Sequence, residues 1–265
     1  MSDRLLASAT IALLLALPAA SSPQAPSSNA PAAERNLRIA AAADLQPLLP
    51  PLLSEFQQQT GIHADASYQA SATLATQIID GAPFDLFLAA DLSFPQRVID
   101  AGRAEQDKPL PYARGTLVLW TRNDSGVTDL SLDALRGAEV GAIAIANPEH
   151  APYGRAAQTA LQNLHLLDPL RPKLVIAENI AQAAQYADSG NAQVGFISLT
   201  SALTPRLRAD GHFIRVPNED YPPILQGAIV IRGSPGAAAA HRFLDFLEQP
   251  AVQQTLAVEG LQPVR

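Results

Sequence analysis

The stretch LRIAAAADL, at residues 37–45, decides the fold of this chain. A short apolar strand runs into small residues and ends at Asp44, where a helix is predicted to begin. A strand that leads directly into a helix N-terminus presents free backbone N–H groups at the carboxyl edge of a sheet, where open α/β sheets bind anions. Similar junctions recur near Ser71, Tyr153 and Asn179. The sequence therefore favours a site for a small oxyanion.

The composition excludes several classes of protein. A chain of 265 residues with 48% hydrophobic residues can bury a sizeable core, as one large domain or two smaller lobes. The net charge of −7, with only 18 scattered Lys and Arg residues, argues against a nucleic-acid partner. The absence of cysteine excludes disulfides, thiolate metal sites, a cysteine nucleophile and lipid attachment at an N-terminal cysteine.

The N-terminus has the pattern of a secretory signal. Arg4 supplies a basic start, an apolar run covers 5–17, and a helix break with small residues follows. We predict a signal peptide over 1–21; an uncleaved membrane anchor is the alternative, although the run is shorter than the roughly 20 residues that span a bilayer. Residues 22–35, rich in Pro, Ser and Ala, are predicted to form a disordered leader. The protein is thus expected to be exported.

Beyond the leader, strand and helix patterns alternate. Strands are predicted at 37–41, 62–68, 84–88, 115–121, 140–146, 174–176, 194–197 and 225–231. Helices are predicted at 52–60, 72–80, 92–101, 154–164, 180–189 and 237–247. The β-α-β-α-β order implies a mostly parallel sheet flanked by helices, and its repetition predicts two similar α/β halves.

Motifs for catalysis are missing from the sequence. It contains no GxSxG elbow, Walker loop, GxGxxG fingerprint or HExxH pair. The five histidines are dispersed, which does not favour a metal site. Asp85 and Asp91 bracket a strand and are interpreted as loop-capping residues, while Trp120 is predicted to be core. The protein is therefore predicted not to be an enzyme.

Five segments together carry a family resemblance. They are AAADL (41–45), YQASATLATQI (68–78), GAPFDLFLAAD (81–91), ANPEHAPYGRAAQTAL (146–161) and AENIAQAAQYADSGNAQVGF (177–196). In this order and spacing the chain resembles the periplasmic molybdate-binding proteins of ABC transporters. The resemblance implies a two-lobed α/β fold of the type II periplasmic-binding-protein kind, with molybdate or tungstate held in the cleft between lobes. It also implies a soluble periplasmic monomer that docks on a membrane permease and needs no cofactor, the metal being bound only as its oxyanion.

The resemblance also implies how the lobes divide the chain. Lobe 1 would comprise 36–112 and 224–265, and lobe 2 would comprise 113–223. Two chain crossings, near 112–114 and 221–224, would form a hinge whose closure traps the ion.

Ser71 and Asp44 are the expected ligand-binding residues of lobe 1. Ser71 lies where a strand ends and a helix starts, so its hydroxyl and the following amides can donate to an oxyanion, unless it is only a helix cap. Asp44 stands where many relatives have Ser, and an ionised carboxylate would repel a dianion. We therefore expect the Asp44 side chain to cap its own helix while the amides of Asp44 and Leu45 face the ligand.

Three residues are the expected ligand-binding residues of lobe 2. Tyr153 would contribute its amide or hydroxyl, the alternative being that it only packs against its loop. Asn179 should cap the next helix, and Ile180 should contribute its main-chain N–H. Ser198 falls where several relatives place a ligand tyrosine. His150 and Arg155 are expected to be solvated and stay outside this set.

Two alternatives remain open at this stage. A receptor for sulfate or another tetrahedral oxyanion would differ mainly in the size of its cavity. An enzyme or regulatory effector domain could use the same two-lobed scaffold, because fold alone does not determine function. The predicted signal peptide argues against that second alternative.

Overall fold

The structure is a computed structural model that describes residues 36–264. The predicted signal peptide over 1–21 and the predicted leader over 22–35 lie outside the described residues. Within 36–264, none of the helices has the length and apolar character needed to cross a bilayer.

Strands and helices alternate along the described residues. The strands are β1 (Leu37–Ala42), β2 (Ala64–Gln69), β3 (Leu86–Ala89), β4 (Leu110–Gly115), β5 (Leu117–Arg122), β6 (Ile143–Ala146), β7 (Leu174–Ala177), β8 (Val194–Ser198), β9 (Gly211–Arg215) and β10 (Ile224–Val230). The helices are α1 (Leu49–Thr60), α2 (Ser71–Ile79), α3 (Ser93–Asp100), α4 (Pro152–Asn163), α5 (Leu167–Leu170), α6 (Ile180–Asp188), α7 (Leu199–Ala202), α8 (Pro205–Asp210), α9 (Ala237–Leu247) and α10 (Pro250–Val258).

The strands form two five-stranded sheets, one in each lobe. Their orders are β2-β1-β3-β10-β4 and β7-β6-β8-β5-β9. In the first sheet β10 runs antiparallel to both of its neighbours, and in the second β5 does so, while the other recorded pairings are parallel. The predicted two-lobed α/β fold is confirmed, although the sheets are mixed rather than mostly parallel, because β10 and β5 run against their neighbours.

Two connections join the lobes. Strand β4 ends at Gly115 in the first sheet and β5 begins at Leu117 in the second, so the first connection passes through Thr116. It lies slightly beyond the expected crossing near 112–114, because the partly exposed strand β4 does not show a clear apolar pattern. The second connection covers 216–223, between β9 and β10.

Each lobe has its own apolar core. In lobe 1, α1 and α9 bring together Phe56, Phe243 and Phe246, whose ring centroids lie 5.0–5.7 Å apart. Trp120 of β5 is fully buried in lobe 2, as predicted for a core residue, and its indole N–H donates to the carbonyl of Leu207. The two cores hold the sheets rigid, so that residues at the sheet edges have fixed positions.

Gly154 allows α4 to approach the sheet of lobe 2. A Cβ at this position would overlap the carbonyl oxygen of Ala146, at the end of β6, and would lie 3.0 Å from the carbonyl carbon of Asn147. Only glycine therefore permits the N-terminus of α4 to lie this close to the end of β6. This contact determines where the preceding residue, Tyr153, is placed.

Replacing Gly154 by alanine is expected to lower the free energy of unfolding by about 1–3 kcal/mol, because the methyl group forces α4 away from β6. Chemical denaturation monitored by circular dichroism measures the change. Gly141→Ala is the matched control, since a Cβ there would meet only Gln193 Oε1 at 3.4 Å. Equal stability of the two variants would contradict this account of the α4 contact.

Candidate functional site

A small cavity lies between the lobes, and the centre of a water-sized sphere can occupy about 10 Å³ of it. This is about the room that one water molecule needs and far below the roughly 300–1,000 Å³ of pockets that hold drug-sized ligands, so only a very small ligand fits. Of the described residues that line it, none carries a basic side chain. The lining residues of lobe 1 are Ala42, Ala43, Asp44, Gln69, Ala70, Ser71 and Ala90, and those of lobe 2 are Ala151, Pro152, Tyr153, Asn179 and Ile180.

Three helices begin at the wall of this cavity. They are α2 at Ser71, α4 at Pro152 and α6 at Ile180. The first N–H groups of a helix have no acceptor within it, and they carry the positive end of the helix dipole. The amides of Ser71, Tyr153 and Ile180 are such groups, so the wall offers neutral donors to an anion.

Ser71 has a hydroxyl proton available for a ligand. Helix α2 begins at Ser71 itself with Ala70 at the cap position, so Ser71 is not the capping residue. Its Oγ accepts a hydrogen bond from the amide of Ala90 at 3.1 Å, which fixes the rotamer and leaves the O–H free to donate. The next amide, of Ala72, donates to the carbonyl of His150 across the cleft and is already engaged.

Asp44 does not cap a helix as predicted. It lies in a 3₁₀ turn, Ala43–Leu45, that has no side-chain cap. Its Oδ2 instead accepts from the phenol of Tyr153 at 3.1 Å and from Nε2 of Gln226. The prediction was wrong because these partners are 109 and 182 residues away along the chain. Leu45 is not among the residues that line the cavity.

A chain of hydrogen bonds fixes the orientation of each group around Asp44. The phenol of Tyr112, on β4, donates to Gln226 Oε1 at 2.5 Å. The Gln226 amide is therefore oriented with its Nε2 toward Asp44. Both the Gln226 amide and the Tyr153 phenol donate to the same oxygen, Oδ2. The other oxygen, Oδ1, is buried and has no hydrogen-bond partner among residues 36–264.

Gly115 makes room for the Tyr153 phenol. A Cβ at Gly115 would overlap the Tyr153 hydroxyl, so a side chain on this strand would displace the phenol from Asp44. Sequence reasoning did not identify Gly115, Tyr112 or Gln226. Gln226 gave a signal that was missed: a polar residue within the apolar run 225–231.

Burial governs the protonation of these groups. Removal from water raises the pKa of the Asp44 carboxyl to about 6, and the hydrogen bonds from Gln226 and Tyr153 only partly oppose that rise. Burial, together with the nearby charge of Asp44, also holds the pKa of Tyr153 and Tyr112 well above the ordinary value. Both phenols therefore stay protonated and act as donors at neutral pH.

The structure places Tyr153 at the cavity but assigns its hydroxyl to Asp44. The suggestion that this hydroxyl donates to the ligand is therefore not supported, because its single proton is already used. The backbone amide of Tyr153, in the first turn of α4, is the group that remains for a ligand.

Ser198 is not among the residues that line the cavity. Its hydroxyl lies 2.8 Å from Oγ1 of Thr200 and 2.9 Å from Oγ of Ser201, and it caps α7 by accepting from the Ser201 amide. Thr200 donates its own proton to the carbonyl of Asp44 at 2.7 Å. Ser198 must therefore donate to Thr200 and has no proton left for a ligand. Ser198 therefore does not take the place of the ligand tyrosine of several relatives. Its hydroxyl holds Thr200, which donates to the carbonyl of Asp44.

Asn179 and Ile180 lie where they were predicted. The side chain of Asn179 caps α6 by accepting from the amide of Gln182 at 3.0 Å. Its neighbour Ile180 is the first residue of the helix and lines the cavity. The structure thus brings Asp44, Ser71, Tyr153 and Ile180 to one cavity.

Two basic residues near the cleft, Arg155 and His150, are not among the residues that line the cavity. Arg155 pairs with Asp91 from the opposite lobe, and its guanidinium lies 5.4 Å from the centroid of the Phe94 ring. The imidazole Nδ1 of His150 lies 3.3 Å from the side chain of Asn147. The Arg155–Asp91 pair joins the lobes beside the cavity.

Two α/β lobes joined by two connections, with neutral donors around a small cavity between them, are typical of a two-lobed solute-binding protein. Residues 37–262 match the family model of the bacterial extracellular solute-binding proteins. The chain belongs to that family.

Individual relatives agree with this assignment. The molybdate-binding protein ModA of Rhodobacter capsulatus is 34% identical over 87% of this chain and 89% of its own length, and that of Azotobacter vinelandii is 33% identical over 84% and 88%. The solved periplasmic molybdate-binding protein of Azotobacter vinelandii superposes with a TM-score of 0.81 at 30% identity, covering 86% of this chain and all of that one. The sulfate-binding protein SubI of Mycobacterium tuberculosis H37Rv shares the fold, with a TM-score of 0.74 at 17% identity and 87% of each chain covered.

The raised pKa of Asp44 predicts how stability depends on pH. The folded protein holds this proton more tightly than the unfolded chain, whose aspartate has a pKa near 3.8. With the lobes in this arrangement, the protein should therefore lose up to about 3 kcal/mol of unfolding free energy through this group as the pH rises from about 4 to about 7. Asp44→Asn should abolish that loss. Denaturation of both proteins across this range measures the difference.

Asp65→Asn is the control for this prediction, because it removes a carboxylate that is exposed on β2. It should keep the wild-type dependence on pH. A constant difference in stability between Asp44→Asn and the wild type at all pH values would contradict the prediction.

Proposed function

We propose that this protein binds molybdate in the periplasm and delivers it to an ABC permease. The observation that carries the proposal is the cavity between the lobes, walled by neutral donors of three helix N-termini and by the free hydroxyl of Ser71. The relatives that are at least 30% identical over most of the chain are named as molybdate-binding proteins, which supports molybdate as the ligand.

Neutral donors supply enough energy for this task. The Ser71 hydroxyl and the amides of Ser71, Tyr153 and Ile180 make four donors. Each hydrogen bond to a charged group contributes about 1.5–3 kcal/mol. Their sum is comparable to the roughly 8–12 kcal/mol of micromolar to nanomolar binding, and the helix dipoles add to it. The anion therefore needs no lysine or arginine partner.

Tungstate has the same charge and shape as molybdate, so we include it in the proposal as a second ligand. Sulfate is the alternative, since it is also a tetrahedral dianion and a sulfate-binding protein shares this fold. The proposal favours molybdate because the sulfate-binding relative is only 17% identical.

The other parts of the proposal follow from the solute-binding family. The protein would work without a cofactor and without catalysis, as a monomer that presents its closed lobes to the permease. The Arg155–Asp91 pair and the Ala72–His150 hydrogen bond join the two lobes, and both would form on closure.

Ser71→Ala is expected to weaken molybdate binding by about 1–3 kcal/mol, which is roughly five- to 150-fold in Kd, because one donor to the anion is lost. Isothermal titration calorimetry with sodium molybdate measures the change. Ser54→Ala, on the exposed side of α1, is the matched control and should bind as the wild type does. Unchanged affinity in Ser71→Ala would remove this hydroxyl from the site.

Titration of the wild type with molybdate, tungstate, sulfate and phosphate tests the choice of ligand. We expect binding of molybdate and tungstate. Binding of sulfate alone would replace the proposal by its alternative. Turnover of a substrate would move the protein to another class.

A further inference from the structure

The side chain of Asp44 is the one carboxyl among the described residues that line the cavity. The proposed ligand is a dianion. An ionised carboxylate beside a dianion, with little water between them, is strongly unfavourable. The site as proposed above therefore carries a charge that works against its ligand.

We propose that Asp44 takes up one proton from solvent when the dianion enters the cavity, and that its carboxylic acid then donates a hydrogen bond from Oδ1 to the ligand. The inference rests on the proposed function and deepens it. The charge that would oppose the ligand becomes an additional donor, and each binding event in which Asp44 starts ionised consumes one solvent proton.

The geometry selects the oxygen that carries the proton. Oδ2 already accepts two hydrogen bonds, from Tyr153 and Gln226, and cannot be protonated without displacing one of them. Oδ1 is buried and has no partner among residues 36–264. A proton on Oδ1 leaves the other bonds in place and turns an unsatisfied acceptor into a donor.

Within residues 36–264, the groups around Asp44 include no cation that could neutralise it instead. The titratable groups that act on it are two phenols, Tyr153 of α4 and Tyr112 of β4, and both are neutral donors. Gln226 of β10 and Thr200 of α7, which donates to the Asp44 carbonyl, carry no charge.

Two further elements pack against the 43–45 turn, and their ionisable groups are directed elsewhere. On β2, Asp65 pairs with His63, and Tyr68 is half-buried. On α6, Asp188 pairs with Arg206. Tyr186 of α6 packs against the lobe 2 core. A proton is therefore the positive charge that is available to neutralise the Asp44 carboxylate.

In the arrangement of the lobes that the structure shows, Asp44 is already poised for this uptake. Burial alone raises the pKa of Asp44 to about 6, close to the pH at which the protein would work. A dianion in the cavity raises this pKa further. Near pH 6, half of the molecules would hold the proton before binding; near pH 8, almost none would.

Proton uptake on binding is the direct test. Sodium molybdate is titrated calorimetrically into the protein in Hepes and in Tris, whose ionisation enthalpies differ, so the difference in heat counts protons. We expect about one proton taken up per molybdate at about pH 8 and about half a proton at about pH 6. The apparent Kd should weaken roughly 50-fold between these two pH values.

The variant Asp44→Asn tests the residue assignment. Its amide carbonyl can accept from Tyr153 and Gln226 while its NH₂ donates from the position of Oδ1. It should bind molybdate with no proton uptake and with a Kd that does not change between about pH 6 and pH 8. Asp65→Asn, on the exposed face of β2, should keep the wild-type uptake and pH dependence.

The outcomes separate this inference from the proposed function. Molybdate binding by the wild type without proton uptake at about pH 8, or uptake that persists in Asp44→Asn, would overturn the inference and leave the proposed function standing. Absence of molybdate binding at both pH values would overturn both. If Asp44→Asn does not fold, the proton count of the wild type at the two pH values still decides.

Discussion

The hydrogen bonds to the buried carboxyl of Asp44 connect the parts of the molecule that must move relative to each other. Asp44 belongs to lobe 1, Tyr153 to lobe 2, and Gln226 to β10, the strand that follows the second connection between the lobes. A buried polar group without partners is costly, so each of these residues stabilises the arrangement of the other two. The cavity lies against this network. Its shape therefore depends on the relative position of the lobes, as a site that closes around a ligand requires.

Much of the fold could be predicted from the sequence, because apolar strands and capped helices have strong local patterns. The α6 helix starts at Ile180 after the cap Asn179, and α9 covers the predicted 237–247. Strand β9, at the edge of its sheet, was missed because it is only half-buried and lacks an apolar run. Helix α1 begins at Leu49, before the predicted position, because Pro50 and Pro51 fall in its first turn, where no N–H donor is needed.

The site was predictable where it depends on local structure and not where it depends on distant contacts. Ser71, Tyr153 and Ile180 follow strand ends, and the edge of each sheet brings such positions to the cleft. The roles of side chains depended on partners far along the chain. The Asp44 carboxyl bonds to Tyr153 and Gln226, and the Ser198 hydroxyl is used within the Thr200 network. A pattern within one segment of the sequence cannot indicate which residues far along the chain will form a hydrogen bond with each other.

The reliance on main-chain amides at the starts of α2, α4 and α6 has a consequence for evolution. An amide N–H is present whatever the side chain, so position 180 could drift among many residues without loss of its donor, proline being the exception. The identities at such positions would then carry little information about what the protein binds. Homologues could keep a ligand while sharing few of the residues that surround it, and comparisons of side chains alone would group these receptors poorly.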